Sequence, residues 1–182
     1  MKVSREKAAE NRQHVVETAA KLFREKGFDG VGVSSLMQAA GMTHGGFYKQ
    51  FTAKEELIAE AMGAAVAQSR ARLAAAAPDD PARFAQIVRM YLSPAHRDAP
   101  GEGCALAALA AESGRHGAGL QAAAEAGVQD YLDGLTAVLG DPARAAAVLA
   151  QMVGALVLAR AAGQGALSDQ ILAQNIAALL EE

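Results

Sequence analysis

The amino-acid sequence predicts an all-α protein of about nine helices, and three observations support this fold class. Alanine and leucine dominate the 52% of the 182 residues that are hydrophobic, and both residues favour helix. No run alternates apolar and polar residues with a period of two, as a half-buried strand would. Glycine, proline and capping residues recur at intervals typical of helix lengths.

The first two helices should each end at a glycine. Apolar residues at 3.6-residue spacing predict a helix from about residue 4 to 26, and a glycine follows it directly. A short helix should run from about 34 to 40, where Ser35 and Gln38 have capping-box spacing, and Gly41 would end it.

The next two helices differ greatly in expected length. A third helix of barely two turns should begin after Thr43 and end near residue 50. Thr52 and Glu55 have the spacing of another capping box, which would open a long helix reaching about residue 78.

Two Asp-Pro pairs predict the starts of later helices. At 80–81 and 141–142, a capping aspartate precedes a proline suited to the first helical position, which predicts helices at about 81–92 and 142–162. The Pro/Gly-rich stretch 93–103 is expected to be a loop. The remaining helices are expected at about 104–113, 118–139 and 168–180.

Charge is divided unequally along the chain. Residues 1–56 hold nine lysine or arginine residues against seven acids, a net charge of +2, whereas the remainder holds eight arginines against thirteen acids, a net charge of −5. Every lysine lies at or before position 54. This asymmetry suggests a polyanionic partner for the N-terminal part only.

The cysteine content and the N-terminus suggest a cytoplasmic protein. The single cysteine, Cys104, excludes an intramolecular disulfide framework and leaves no set of thiols for structural zinc. We expect neither a metal nor a cofactor. The N-terminus is charged and lacks the apolar segment of a secretory signal. The longest apolar run, 145–159, is shorter than a membrane span, so we expect it to be buried within protein.

Residues 34–50 have the layout of a helix-turn-helix, whose second helix lies in the DNA major groove. So short a helix needs anchors, and Phe47 and Phe51, one turn apart, would supply a buried edge. The opposite edge would leave Thr43, His44 and Lys49 free for DNA.

The stretch GFDGVGVSSLMQAAGMTHGGFYKQFTAKEELI, residues 27–58, resembles the DNA-binding signature of the TetR family of bacterial transcriptional regulators. In that family a helix-turn-helix containing Gly-x-Ser/Thr-x-Gly-x-aromatic/aliphatic-Tyr-x-x-Phe is followed by Lys-Glu-Glu-Leu. The positions in register are Gly41, Thr43, Gly45, Phe47, Tyr48, Phe51, Lys54, Glu55 and Leu57. The resemblance implies a DNA-binding domain at 1–52 and a helical ligand-binding and dimerisation domain at 53–182.

The resemblance also implies which residues contact DNA. They are Ser34, Ser35, Thr43, His44, Gly45, Tyr48, Lys49 and Lys54. Tyr48 and Lys54 are suited to phosphates, Lys54 because it stands at a helix N-terminus. Ser34 and Ser35 are equally suited to plain N-capping.

Two glycines depart from the family pattern. Gly46 stands where the family often has Ser or Thr, and Gly32 replaces a small hydroxyl residue before the first motif helix. The operator contacts therefore cannot be copied from relatives.

The expected helix at 142–162 is apolar on two faces, so it could serve an internal core and a partner at once. By resemblance, this helix and the one at 168–180 form a homodimer, which would bind a near-palindromic DNA operator. The alternative is that both helices lie in the core of a monomer.

The resemblance further implies a pocket for a small-molecule inducer among the middle helices. Its candidate polar residues, each of which could instead be a surface or packing residue, are Tyr91, His96, Arg97, Cys104, Glu112, Gln121, Tyr131 and Gln151.

Cys104 follows Gly103 at an expected helix N-terminus, where amide dipoles would favour a thiolate. The segment GCALAALAAE, residues 103–112, resembles the segment with which some regulators of this family sense reactive electrophiles. Alternatively, Cys104 is an inert, buried small hydrophobe.

We therefore expect a ligand-responsive DNA-binding repressor. The sequence contains no HExxH, P-loop or nucleophile-elbow pattern, so we do not expect an enzyme. A helical protein-interaction adaptor would explain the apolar helices but not the helix-turn-helix signature.

Overall fold

The computed structural model describes residues 5–76 and 82–181, and within them it contains helices and no strand. The predicted all-α fold is confirmed. The α-helices are α1 (Arg5–Lys26), α2 (Val33–Ala39), α3 (Lys54–Ala76), α4 (Arg83–Tyr91), α5 (Pro94–Asp98), α6 (Ala105–Ser113), α7 (Gly117–Leu139), α8 (Pro142–Ala161) and α9 (Ala166–Leu180). Two 3-10 helices cover His44–Lys49 and Pro100–Glu102.

Glycine and Asp-Pro set several helix ends as predicted. Gly27 and Gly41, which follow α1 and α2, have φ angles of 74° and 67°, in the left-handed region that favours glycine. The Asp141 side chain accepts a hydrogen bond from the amide of Ala143 at 2.8 Å and caps α8, with Pro142 at its first position. The predicted cap at 80–81 lies outside the described residues.

The stretch 93–103 is not the predicted loop. The Ser93 hydroxyl caps α5 by accepting a hydrogen bond from the amide of His96 at 3.2 Å, and Pro94 occupies the first turn. Pro100 then opens a 3-10 helix. Proline is as compatible with the first turn of a helix as with a loop, which is why the composition was misleading.

Both predicted capping boxes require correction. Gly32, not a serine, is the N-cap of α2, and no side chain caps it. At α3, the Thr52 amide and hydroxyl both donate to Glu56 at 2.7 Å, whereas Glu55 was predicted. Since α3 begins at Lys54, Glu56 is its third residue, from which a side chain reaches back to the residues just before the helix.

The helices pack into one continuous core in which α3 is shared. It packs most extensively against α7 and α1, and α7, α8 and α9 then follow in succession. We call residues 5–53 the head and residues 82–181 the body. The largest buried side chains of the head include Phe23, Phe28, Phe47 and Phe51.

Helix α8 has one buried face and one exposed face. Val148, Met152 and Leu156 are buried, whereas Val157 is 42% exposed and Leu158 is 60% exposed. By length and composition α8 could also cross a bilayer, which no other helix of the described residues could. Core helices of soluble proteins meet the same criterion, and its seven buried residues lie in the protein core.

Candidate DNA interface and ligand cavity

The predicted second helix of the helix-turn-helix is present, but as a 3-10 helix. The amide of Gly46 donates to the Thr43 carbonyl at 2.9 Å, and that of Gln50 donates to the Phe47 carbonyl at 2.8 Å. Both bonds span three residues, as in a 3-10 helix. Glycine stabilises an α-helix poorly, and this six-residue segment contains two adjacent glycines. The weak preference for the α-helical form accounts for the 3-10 helix in place of the predicted α-helix.

Two phenylalanines anchor this segment, as predicted. Phe47 and Phe51 are 1% and 2% exposed, and their stacked ring centroids lie 5.4 Å apart. The Arg12 guanidinium of α1 lies 4.3 Å from the Phe51 ring centroid and also pairs with Glu56 at 2.7 Å. The buried edge of the segment is therefore packed against α1.

The residues predicted to contact DNA lie mostly on the exposed side of α2 and of the 3-10 helix. We call this set the recognition surface: Ser34, Ser35, Thr43, His44, Gly45, Tyr48 and Lys49, all exposed. Tyr48 is 66% exposed, and its ring centroid lies 5.9 Å from that of His44. Within residues 5–76 and 82–181, Lys49 forms no ion pair.

Ser34 positions His44 rather than capping α2. Its hydroxyl oxygen lies 2.9 Å from Nδ1 of His44, so Nε2 remains available to an external partner. Since Gly32 is the N-cap, plain capping does not account for either serine.

Lys54 differs from the other predicted contacts because its ammonium is engaged within the protein. Nζ of Lys54 donates to the Phe28 carbonyl at 2.7 Å, and the side chain is partly buried. This bond ties the start of α3 to the turn after α1. An ammonium has two further donors, which leaves a phosphate contact possible.

A cavity of about 240 Å³ lies in the body and brings together four of the predicted polar residues. They come from distant positions in the chain and are Tyr91, His96, Cys104 and Tyr131. The wall also contains residues that the sequence analysis missed: Ser69, Arg72, Leu73, Met90 and Glu102.

His96 fixes the geometry beside Cys104. Its Nδ1 lies 2.7 Å from the Tyr91 carbonyl, and its Nε2 accepts a hydrogen bond from the amide of Cys104 at 2.9 Å. This pairing requires a neutral ring that donates from Nδ1. Burial lowers the pKa of His96, which is consistent with the neutral form. The ring thereby holds the amide of Cys104, the N-cap residue of α6.

The other four candidates do not line this cavity, because each is engaged elsewhere or exposed. Arg97 donates to Ser168 at 2.9 Å and to Asp169 at 2.6 Å. Gln151 donates to Asn175 at 3.2 Å, and Gln121 is exposed. Glu112 accepts a bond from the head, described below.

Comparison with known proteins agrees with this geometry. Residues 15–61 match the model of the family described as bacterial regulatory proteins, tetR family. The similarity to this family rests on the N-terminal segment 15–61. The HTH-type transcriptional regulator AcrR of Shigella flexneri is 33% identical over 57 residues, which are 31% of this chain and 26% of that protein. The match thus spans about a quarter of that relative's length.

Solved structures extend the similarity of fold to the whole chain. Reduced NemR of E. coli superposes with a TM-score of 0.79 at 22% identity, over 94% of this chain and 96% of that chain. A TetR transcriptional regulator from Chloroflexus aurantiacus gives 0.80 at 24% identity, over 96% and 94%. A TetR-family regulator from Cytophaga hutchinsonii gives 0.80 at 21%, over 100% and 98%. The body therefore has the all-α fold of TetR-family regulators, and enzymes are not among these relatives.

Two of the contacts between body and head are made by carboxylates. The Glu112 carboxylate, in the last turn of α6, accepts a hydrogen bond from the Phe28 amide at 2.9 Å. A Cβ at Gly27 would lie only 2.8 Å from that carboxylate, so glycine provides the space as well as the turn. Glu102 on the cavity wall pairs with Lys21 of α1 at 3.1 Å. These contacts join residues more than 75 positions apart, and no local pattern in the sequence predicts them.

Proposed function

We infer that the protein is a homodimeric transcriptional repressor that binds a near-palindromic operator and releases it when a small molecule or an electrophile occupies the cavity beside Cys104. The observation that carries this proposal is the exposed recognition surface, backed by the stacked Phe47 and Phe51 rings, within the segment that matches the tetR family. In this assignment residues 1–52 bind DNA, and residues 53–182 bind the inducer and form the dimer.

The recognition surface supplies contacts of two kinds. Lys49, Tyr48 and the serine hydroxyls are suited to phosphates, which fix position without reading sequence. His44 and Thr43 are suited to base edges in the major groove, with Nε2 of His44 presented by its contact with Ser34. Gly45 allows close approach, because a Cβ there would meet no atom of the protein within 4 Å.

A second copy of the chain supplies the additional phosphate contacts that one head lacks. Affinity for DNA follows the number of phosphates neutralised, and residues 1–56 have a net charge of only +2. The exposed face of α8 offers a surface for pairing, since small and apolar residues recur there at helical spacing: Ala143, Ala147, Ala150, Gly154, Val157 and Ala161. On α9, Leu167 is 63% exposed. Dimerisation through α8 and α9 would cover both.

Helix α6 connects the cavity to the head. It is nine residues long, about 14 Å at 1.5 Å per residue, with Cys104 before its first residue and Glu112 in its last turn. A molecule that displaces the Cys104 end would shift the carboxylate that holds the Phe28 amide. The inducer acts only through its different affinities for the two arrangements, which explains why it must contact this wall.

Cys104 would serve as the sensing residue for electrophiles. It is 2% exposed and lies on the cavity wall, so an adduct on its sulfur would occupy the cavity. We propose to alkylate the protein with N-ethylmaleimide and measure DNA binding, with Cys104→Ala as control. Undiminished binding of the alkylated wild type would eliminate the thiol as a sensor and leave the non-covalent inducer.

DNA binding itself is tested with Lys49→Ala. Wild-type affinity for DNA from near its own gene should fall steeply with salt, and the variant should bind more weakly. Loss of one phosphate contact per head reduces the salt slope by about 0.9, or about 1.8 per dimer. Arg89→Ala, which removes an exposed cation from α4, is the matched control and should bind as the wild type does.

Two outcomes would contradict the proposal. Absent or salt-insensitive DNA binding by a folded dimer would favour the helical adaptor. A monomer in sedimentation measurements at micromolar concentration would remove the assigned dimer face.

A further inference from the structure

The first turn of the second motif helix carries a single side chain larger than hydrogen. His44 is the first residue of this 3-10 helix, and Gly45 and Gly46 follow it. Neither glycine is required by packing, since a Cβ at Gly45 would meet no atom of the protein within 4 Å and one at Gly46 would make only ordinary contacts. The N-terminal residues of a recognition helix are those that contact base edges in the major groove. Base reading at this end of the helix therefore falls on His44 and on the N-cap residue, Thr43.

The His44 ring is held at two points. Its Nδ1 lies 2.9 Å from the Ser34 hydroxyl oxygen of α2. Its ring centroid lies 5.9 Å from that of Tyr48, and the two ring planes are inclined by 75°. Because the two nitrogens of an imidazole point in different directions, Nε2 faces away from Ser34. The residue itself is exposed, so Nε2 is open to an external partner.

The contact between Ser34 and His44 has a preferred direction. A helical serine often donates to a carbonyl of the preceding turn, but Ser34 is the second residue of α2 and has no such turn before it. In the described parts of the chain its hydroxyl has no partner besides His44. A neutral imidazole nitrogen is basic enough to take a proton near neutral pH, whereas a hydroxyl oxygen is not. The hydroxyl therefore donates to Nδ1, and Nε2 carries the ring proton.

A donor at Nε2 discriminates among the bases of the major groove. Guanine presents two adjacent acceptors, N7 and O6, so a single N–H group finds an acceptor at either. Adenine has one acceptor beside an amino group, thymine has one beside a methyl group, and cytosine presents only an amino group. Guanine therefore suits this donor best, and cytosine suits it least.

We propose that Ser34 is a positioning residue that holds His44 as an Nε2–H donor, and that this donor reads a guanine in each half-site of the operator. Ser34 acts through His44 and does not itself touch the base. Its hydroxyl is then engaged, which leaves Ser35 as the serine available to a phosphate. This assignment names a base recognised by the recognition surface, and in that respect it rests on the proposed function.

The first experiment measures base preference with the full chain. Wild type and His44→Ala select sites from a library of random double-stranded DNA, and the bound fractions are sequenced. The wild-type site should contain guanine at one position of each half-site where His44→Ala shows no preference. Replacing that guanine by adenine in one half-site, with its pairing partner, should weaken wild-type binding about fivefold to tenfold and leave His44→Ala binding unchanged.

The second experiment compares two neighbouring serines on duplexes that differ at this position. Ser34→Ala should lower the ratio of affinities for guanine and adenine about twofold to threefold, because Nδ1 is no longer held and Nε2 is free to carry the proton or not. Ser34→Thr keeps the hydroxyl and should restore the ratio. Ser35→Ala is the matched control, since it should leave the ratio intact whether or not it lowers affinity for every sequence. Because Ser34, Ser35 and His44 are exposed, the variants should melt as the wild type does.

Four results would overturn the assignment. They are an unchanged site preference in His44→Ala, a base other than guanine at the position where His44→Ala loses its preference, an equal loss of affinity for all sequences in His44→Ala, and an unchanged guanine preference in Ser34→Ala. The third result would place His44 on a phosphate, where a contact carries no sequence information. Each of them is observed on a protein that binds DNA, so the proposed function would survive. If the folded wild type selects no sequence at all, the proposed function fails together with this assignment.

Discussion

Alanine substitutions of Phe51, on the buried edge of the second motif helix, and of Tyr48, on its exposed edge, should separate effects on stability from effects on DNA binding. Phe51→Ala removes a ring that is 2% exposed, stacked on Phe47, and covered by the Arg12 guanidinium at 4.3 Å. Truncation of a buried phenylalanine costs about 3–5 kcal/mol. Tyr48 is 66% exposed, so Tyr48→Ala should change stability by no more than about 0.5 kcal/mol.

Urea denaturation and thermal melting measure these differences directly. For a chain of this size each kcal/mol lowers the melting temperature by about 2–4 °C, so Phe51→Ala should melt roughly 6–20 °C lower. Binding to operator DNA is then measured at a temperature where both variants are folded. Tyr48→Ala should lose affinity although its stability is near that of the wild type.

The refuting results are specific. A loss of under about 1 kcal/mol in Phe51→Ala would show that the segment does not depend on its buried edge. A stability loss in Tyr48→Ala comparable to that of Phe51→Ala would show that both edges are structural. Normal DNA binding by Tyr48→Ala would remove this side chain from the interface.

Three further predictions concern other positions. Gly45→Ala and Gly46→Ala should both leave stability unchanged or raised, since a Cβ meets only ordinary contacts at 46 and none at 45. Only Gly45→Ala should weaken DNA binding, and equal losses of affinity for the two variants in operator titrations would contradict this. Glu112→Ala should destabilise the protein by about 1–2 kcal/mol and reduce the effect of N-ethylmaleimide on DNA affinity. Glu112→Gln keeps a hydrogen-bond acceptor, so both its stability and its response to N-ethylmaleimide should lie between those of Glu112→Ala and the wild type. Burial lowers the pKa of His96, so the unfolded state binds its proton more readily, and stability should decrease as pH falls below about 6.5, the ordinary value. Melting temperatures between pH 7.5 and 5 should show less of this decrease in His96→Asn.

Much of the head could be predicted because its signals are local. Gly27 and Gly41 end their helices in the left-handed conformation, and Phe47 and Phe51 form the buried edge that their spacing indicates. The form of the second motif helix was not predicted, because the preference between 3-10 and α is small in so short a segment.

The cavity could be predicted only in part, because its wall combines residues from four α-helices and one 3-10 helix. Tyr91 and Tyr131 reach it from α4 and α7, while Ser69 reaches it from the middle of α3. A serine among alanines carries no signal of this role in one sequence. Arg97 was a reasonable candidate, but Asp169, 72 residues further along the chain, pairs with its guanidinium instead.

The contacts between head and body indicate what the proposed inducer would have to move. Arg24 of α1 is 4% exposed and donates to the Gly101 carbonyl at 2.8 Å, and Lys21, one turn earlier, pairs with Glu102. Glu112 holds the turn that follows α1. The two ends of segment 101–112 therefore both contact the C-terminal half of α1 or the turn that follows it. The same segment forms part of the cavity wall. Because α1 is a continuous helix of 22 residues, a shift of this segment should rotate the head as a unit. The inducer would then change the spacing of the two heads and leave each recognition surface intact.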